Sequence, residues 1–368
     1  MKTRPRHEQI SRELLGDILS GKHDATGRLP SEAQLVKRFG VSRPTVTRAL
    51  FDLKNNGVIE RRAGSGTFIS RGAPTAAGTR QLGLLVPGLG EIEIFEVICG
   101  ELASLARVHD LVMHWGGPRD RSEARMTINE AESLCDRYIE RGLHGVFFAP
   151  FEHTSDNQAA NRRITEKLTH AGISVVLLDR DLANFPDRSE FDLVGIDNFA
   201  AGYRLAEHLI KLGARRLHFV SRPFSASTVE ARQLGASIAL CAHGIEVTGG
   251  FMRTGDCADV KFVRQLVAGK MCDAIICSND HTAAQLLQSL TRLGVRVPQQ
   301  IRIVGFDDVR FATLLSVPLT TMRQPCRDLA LTAFNAMLER MKNPTLPARG
   351  LILQPSLEVR ESCGAYLK

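Results

Sequence analysis

The chain has 368 residues, 43 % of them hydrophobic and 24 % charged, with a formal net charge of +7. That length supports more than one domain and a sizeable core. No run approaches about 18 apolar residues, and the start MKTRPRHEQISRE has no apolar stretch behind its positive charges, so neither a membrane span nor a secretory signal is expected. The excess charge is unevenly placed. Residues 1–71 carry 14 Lys and Arg against 7 Asp and Glu, which equals the whole-chain excess of 47 over 40 and leaves the remainder neutral. A basic head with a neutral body points to a polyanionic partner. The eight cysteines are scattered without a C-x-x-C pair, as expected of reduced thiols in a cytoplasmic protein.

Ile10, Leu14, Leu15, Ile18 and Leu19 give an amphipathic first helix, closed by Gly21. Ser31 can cap a second, with Gln34 completing a capping box, Leu35, Val36 and Phe39 turned inward and Gly40 ending it. Ser42 then caps a third, in which Pro44 is tolerated in the first turn. Val46, Ala49, Leu50 and Leu53 fall at i, i+3, i+4 and i+7, so one stripe is buried. Arg48 lies roughly 200° around from Val46, and Pro44 and Thr45 also sit away from that stripe. A helix so built can enter a DNA major groove; Ser31, Pro44, Thr45, Thr47 and Arg48 are the expected DNA-facing positions. Residues 58–62 and 67–70 alternate as strands around a glycine-rich tip, Ala63 to Gly66. Arg61, Arg62, Gly64, Ser65 and Gly66 there can approach a phosphate backbone closely.

Residues 72–80 read as a linker, small and polar. From Gln81 strands and helices alternate. Strands are predicted at 82–86, 111–115, 145–149, 174–178, 192–196, 216–220, 273–277 and 301–305, with helices between them. A further helix at 325–341 and a strand at 351–359 follow. Continuous apolar runs such as VVLL and VFFA suit parallel strands covered on both faces, hence a doubly wound α/β architecture of two similar lobes. Asp179, Asp197, Asn279, Asp280, Asp307 and Asp308 cluster at the carboxyl ends of these strands, where open α/β sheets bind ligands. Paired hydrogen bonds from such groups suit a ligand rich in hydroxyls. The same residues can also cap helices or make turns.

Residues 29–70 resemble the winged helix-turn-helix of the GntR family, through LPSE at 29–32, FGVSRPTV at 39–46, RAL at 48–50 and R-x-G-x-GTF at 62–68. The resemblance implies that Ser42, Arg43, Thr45, Gly64 and Gly66 occupy DNA-contacting positions. The family often has Arg where Ala33 stands, and Arg directly after the T-V pair, where this chain has Thr47 followed by Arg48. Residues 81–360 resemble the LacI/GalR effector-binding domain, of the type I periplasmic-binding-protein-like fold. The pieces are LGLLVP (82–87), VVLLDR (175–180), VGIDNFAAG (194–202), HLIKLGARRLHFV (208–220), CSND (277–280), LGVRVPQQIRIVGFDD (293–308), PLTTMRQP (318–325) and LEVRES (357–362). That resemblance implies chain crossings near 181–192, 318–324 and 343–350, with lobe 1 at about 81–185 and 323–348 and lobe 2 at about 192–320 and 351–360. It also implies a ligand held by Asp179, Arg232, Asn279 and Asp307. Where relatives carry an asparagine, a proline and two phenylalanines, this chain has Glu91-Ile92-Glu93-Ile94 and then Phe95. Glu91, Glu93 and Phe95 join the expected effector site, the acids favouring hydroxyls or a cationic group, or simply a helix N-terminus. The hinge helix of LacI is absent.

Gly88-Leu89-Gly90 has Glu93 at the third glycine position of a dinucleotide loop, and an acid there would repel a pyrophosphate. No phosphate-binding loop, metal-ligand spacing or nucleophile–base pairing is found, so no catalytic residue, cofactor or metal is expected. Trp115 has two readings, a stacking platform for a sugar ring or core packing. The expected whole is a cytoplasmic, ligand-responsive transcription regulator. It would be a homodimeric repressor on a roughly palindromic double-stranded operator, with a sugar or sugar derivative as effector. The alternative is the solute-binding component of a transport system.

Overall fold

The computed structural model describes residues 6–19, 28–55, 58–62, 66–69, 80–89, 93–117, 125–152, 154–184, 186–268 and 272–367. They form two compact units that divide between Thr79 and Arg80. In the first, α1 (Arg6–Leu19), α2 (Glu32–Phe39) and α3 (Arg43–Asn55) precede an antiparallel hairpin of β1 (Ile59–Arg62) and β2 (Gly66–Ile69). α2 opens on the predicted capping box. Gln34 N–H donates to Ser31 Oγ at 3.4 Å, and Ser31 N–H donates to Gln34 Oε1 at 2.8 Å. Gly40 ends it at φ +61°, where a side chain would clash with its own backbone. Ile10, Leu14 and Ile18 of α1 share one core with Leu35, Val46, Ala49, Leu50, Leu53 and Ile59, so the periodic positions are the buried ones. Leu29 N–H donates to Thr67 O at 2.9 Å, which ties the segment before α2 to the hairpin.

The second unit begins with β3 (Gln81–Leu85), α4 (Glu93–Val108), β4 (Val112–Trp115), α5 (Ile128–Glu140), β5 (Gly145–Phe148), α6 (Ser155–His170), β6 (Ser174–Leu178) and β7 (Asp192–Ile196). It continues through α7 (Asn198–Lys211), β8 (Leu217–Ser221), α8 (Ser227–Ala242), β9 (Met252–Thr254), α9 (Val260–Leu266), β10 (Ala274–Cys277), α10 (Asp280–Arg292), β11 (Arg302–Asp307) and β12 (Thr320–Arg323). α11 (Cys326–Lys342), β13 (Gly350–Leu353) and β14 (Ser356–Glu358) follow. Two sheets result, ordered β13-β7-β6-β5-β3-β4 and β14-β12-β11-β10-β8-β9, parallel throughout except for β12 against β14. Strands such as β5 and β10 are buried along their whole length, as their unbroken apolar runs require.

The lobes are cut differently from the sequence expectation. β7 pairs with β6, Leu178 opposite Val194, so residues 192–196 extend the first sheet and the chain first crosses after Ile196, not within 181–192. Burial decides this, because Leu193, Val194 and Ile196 complete the apolar core of lobe 1. The second crossing follows Arg323. The strand expected at 351–359 is two strands in different sheets, so the third crossing lies between Leu353 and Ser356 rather than within 343–350. Pro355 stands at that break, and without an N–H it cannot continue a ladder. β9 and β12 were not among the expected strands. Asp192, fully buried, binds Arg340 at 2.9 Å and Arg349 at 3.1 Å, joining β7 to α11 and to the start of β13.

Two glycines set the spacing within lobe 2. A Cβ on Gly202 would stand 2.0 Å from Arg232 O, and one on Gly235 would stand 2.0 Å from Phe199 O. α7 and α8 therefore pack backbone to backbone, which fixes where α8 can carry the Arg232 side chain.

Candidate ligand cleft and nucleic-acid interface

In the first unit α3 turns Arg43, Pro44, Thr47 and Arg48 to solvent, and with Phe51 they line one shallow depression along the helix. Ser42 is exposed and its hydroxyl meets that of the half-buried Thr45 at 2.8 Å. The Ser31 hydroxyl is engaged in the α2 cap. Arg43 reaches Glu32 at 3.1 Å and Arg48 reaches Asp52 at 3.8 Å. Surface pairs of this kind contribute only about 0.2–1 kcal/mol, so a phosphate can displace them. In the hairpin Arg61 stands opposite Thr67 and Arg62 opposite Gly66. Gly64 and Ser65 lie outside the described residues, as do the side chains of Arg61 and Arg62. Gly66 adopts φ +117°, and a Cβ there would sit 3.1 Å from Arg28 Nε. Phe51 is a group on this surface that sequence reasoning missed; its signal was an apolar residue off the buried stripe.

In the second unit the carboxyl ends of β6, β10 and β11 open onto a cleft of about 390 Å³ lined by Asp179, Arg232, Asn279 and Asp307 together. Arg232 is almost wholly buried. Its Nε donates to Asn198 Oδ1 at 2.8 Å, one terminal nitrogen donates to Ser278 O at 2.8 Å, and the other faces Asp307 Oδ1 at 4.0 Å. The guanidinium carbon lies 3.5 Å over the Phe306 ring. The guanidinium is thus held in one plane at the cleft wall. Asp307 also accepts from Gln324 Nε2 at 2.8 Å. Burial dominates this pair, pushing the Asp307 carboxyl up to about 6 against the pull of Arg232 and Gln324, and lowering Arg232 against the pull of Asp307 and Asp179. Behind them Asp280 is fully buried, accepting from Thr321 Oγ1 at 2.6 Å and Val309 N–H at 3.0 Å, and burial pushes it up to about 8.

Asn279 caps a helix and also faces the cleft. Its Oδ1 accepts from Thr282 N–H at 2.8 Å to cap α10, and the residue lines the cleft. Asp179 pairs with Arg180 at 2.8 Å. Asp179, Phe224 and Asp307 have φ of +70°, +58° and +109°. Each such conformation costs a non-glycine residue about 1–3 kcal/mol, and their gathering around one crevice is what a binding site produces.

Four expectations fail or fall outside. Phe95 is 1 % exposed in the core of lobe 1, because its place on α4 points at the sheet. Glu93 lines a second crevice of about 310 Å³, and its Oε1 accepts from Arg310 N–H at 2.8 Å, so it bridges the lobes at the start of α4. Glu91 lies outside the described residues. Trp115, on the edge strand β4, is 62 % exposed and is neither core nor cleft. Arg125, Glu152, Arg180, Arg222, Phe224 and His281 also line the cleft and were not foreseen. Most come from segments between regular elements, where no periodicity marks them. Among the described residues no group of His, Cys, Asp and Glu could hold a metal ion, and no helix is long and apolar enough to cross a membrane.

Residues 6–69 match the bacterial regulatory proteins of the gntR family, and residues 206–363 match the periplasmic binding protein-like domain. The arabinose metabolism transcriptional repressor of Geobacillus stearothermophilus is 27 % identical over 98 % of this chain and 98 % of its own length. The ribose operon repressor of Escherichia coli (strain K12) is 29 % identical over 48 % of this chain and 55 % of its own. Among solved structures, a complex of the transcriptional regulator CelR with cellobiose covers 98 % of this chain and all of that one, at 22 % identity and a TM-score of 0.65. A LacI family regulator from Enterococcus faecium with bound ribose covers 77 % of this chain and 98 % of that one, at 21 % identity and a TM-score of 0.63. Those two likenesses concern the fold. With an exposed third helix in its first unit and a two-lobed, ligand-sized cleft in its second, the chain joins a region that matches the gntR-family regulatory proteins to one that matches the periplasmic binding protein-like domain, and along nearly its whole length it is similar to a transcriptional repressor.

Proposed function

We propose that the protein is a cytoplasmic, homodimeric repressor whose operator affinity is changed by a small sugar or sugar derivative bound between the two lobes. The convergence of Asp179, Arg232, Asn279 and Asp307 on one interlobe cleft carries this reading. Carboxylates and an amide accept and donate to vicinal hydroxyls, and the fixed guanidinium supplies a planar fork. The head, residues 1–71, places α3 in the major groove through Ser42, Arg43, Thr45, Thr47 and Arg48, with the hairpin against the backbone. Residues 72–80 link it to the sensor from 81 onward. Two heads on a palindromic site require a two-fold dimer, and closing the lobes on ligand changes the spacing of the heads. Support comes from the full-length likeness to an arabinose repressor and from sugars bound in solved structures of the same fold. A gel-shift with the DNA upstream of the protein's own gene, with and without added pentoses and hexoses, tests it. A specific complex that one sugar weakens is expected; no specific complex at modest salt overturns the reading.

A further inference from the structure

The charges facing the cleft do not cancel. Four guanidinium groups line it, on Arg125, Arg180, Arg222 and Arg232, against three carboxylates, on Glu152, Asp179 and Asp307. Three of the four are matched: Arg125 to Glu152 at 3.0 Å, Arg180 to Asp179 at 2.8 Å, and Arg232 to Asp307 at 4.0 Å. Arg222 is different. It is exposed in the loop leading into α8, and its hydrogen bond goes to a neutral group, the Gln285 amide oxygen, at 3.5 Å. Among the described residues no carboxylate pairs with it.

One positive charge is therefore left over in a crevice with low-dielectric walls, where a field acts more strongly than in bulk water. Its surroundings add to it. Ser225, Ala226, Thr228 and Val229 line the cleft at the start of α8, and the Ala226 cap position makes no side-chain bond to the helix's first N–H groups. Phe224, 75 % exposed, lines the same cleft and offers a flat apolar face of the kind that packs on sugar-ring carbons. Closing the lobes over a neutral sugar would strip water from Arg222 and return nothing for it. An anionic group there would make a charge-assisted, bidentate contact instead.

We propose that the effector is an acidic sugar, a pentose or hexose derivative carrying one carboxylate or phosphate, with that group received by Arg222 and its hydroxyls by Asp179, Asn279 and Asp307. The assignment rests on the sugar-effector reading above and narrows it.

The test is calorimetry on the full-length protein with matched pairs: arabinose and arabinonate, galactose and galacturonate, glucose against glucuronate and glucose 6-phosphate. In at least one pair the charged member binds about tenfold or more tightly than its parent, and that advantage shrinks from about 50 mM to about 500 mM salt. The carboxylate and phosphate arms separate the two anions. Arg222→Gln abolishes the preference and leaves the melting temperature of the ligand-free protein unchanged. If neutral parents bind as well as or better than their charged partners, or if Arg222→Gln keeps the preference, the acidic-sugar assignment is overturned while the sugar-effector reading stands. If no member of any pair binds, both are overturned.

Discussion

The Arg232 guanidinium lies 3.5 Å above the centroid of the Phe306 ring, so this buried cation of the cleft is clamped by stacking as well as by hydrogen bonds to Asn198 and Ser278. Position matters here as much as charge. Arg232→Lys keeps the charge but loses the plane and at least one of the two hydrogen bonds, at a cost of about 1–3 kcal/mol in stability. The expected result is loss of the thermal shift produced by effector, with operator binding in its absence retained. Melting curves and gel-shifts on the same preparation check both halves.

Gly235 is where that clamp is anchored. A methyl group there meets the Phe199 carbonyl, which is backbone and cannot swing aside. Gly235→Ala should push α8 off α7, destabilise the sensor by about 1–3 kcal/mol and weaken effector binding through displacement of Arg232. Chemical denaturation followed by calorimetry measures the two effects separately; an unchanged midpoint would contradict the packing argument.

Asp280 gives stability a pH dependence of predictable sign. Its buried carboxyl is raised from 3.8 to about 8, first by desolvation and then by the charge of Asp307. The folded chain keeps a proton that the unfolded chain releases, so the contribution is complete below the unfolded value and is lost as pH rises through about 8. Asp280→Asn copies the neutral form and cannot titrate. The melting temperature of the variant should gain on that of the wild type from about pH 5 to about pH 8; parallel curves would show that Asp280 is ionised throughout.

On the DNA side, Arg43 and Arg48 are exposed and make surface pairs with Glu32 and Asp52. Arg43→Ala should weaken operator binding. If the contact is to phosphate, the loss is the same on specific and unrelated DNA, and the salt slope of log K falls by about 1. If the contact is to a base edge, the loss is about 1–3 kcal/mol and confined to the operator. Effector binding should be untouched in either case. Anisotropy titrations at several salt concentrations distinguish these outcomes.

What could be read from sequence was mostly local. The Ser31–Gln34 box, Gly40, and the periodic core of α3 are set within a few residues, and parallel strands announce themselves as apolar runs. β12 was missed because Thr320 and Thr321 are polar yet fully buried, their hydroxyls donating to Arg360 O and to Asp280. Only tertiary partners make such residues a strand. The ends of the lobes were misplaced for the same reason, since β7 and β13 join the first sheet by pairing over long separations. In the cleft, Asp179, Asn279 and Asp307 were legible as strand-end positions. Arg222, Phe224, Arg125 and Glu152 were not, because loops carry no period and nothing local says which loops converge. Glu93 misled because an acid at a helix start can face a ligand or, as here, a backbone N–H from the other lobe.

The central claim is that one ligand event in the sensor is felt by the DNA-binding head, and linkage makes that claim measurable from either end. Effector affinity is determined by calorimetry with and without saturating operator DNA, and operator affinity by anisotropy with and without saturating effector. The account predicts that the two ratios differ from one and are equal, as a shared coupling free energy demands. Effector that binds equally well to free and to operator-bound protein would contradict it.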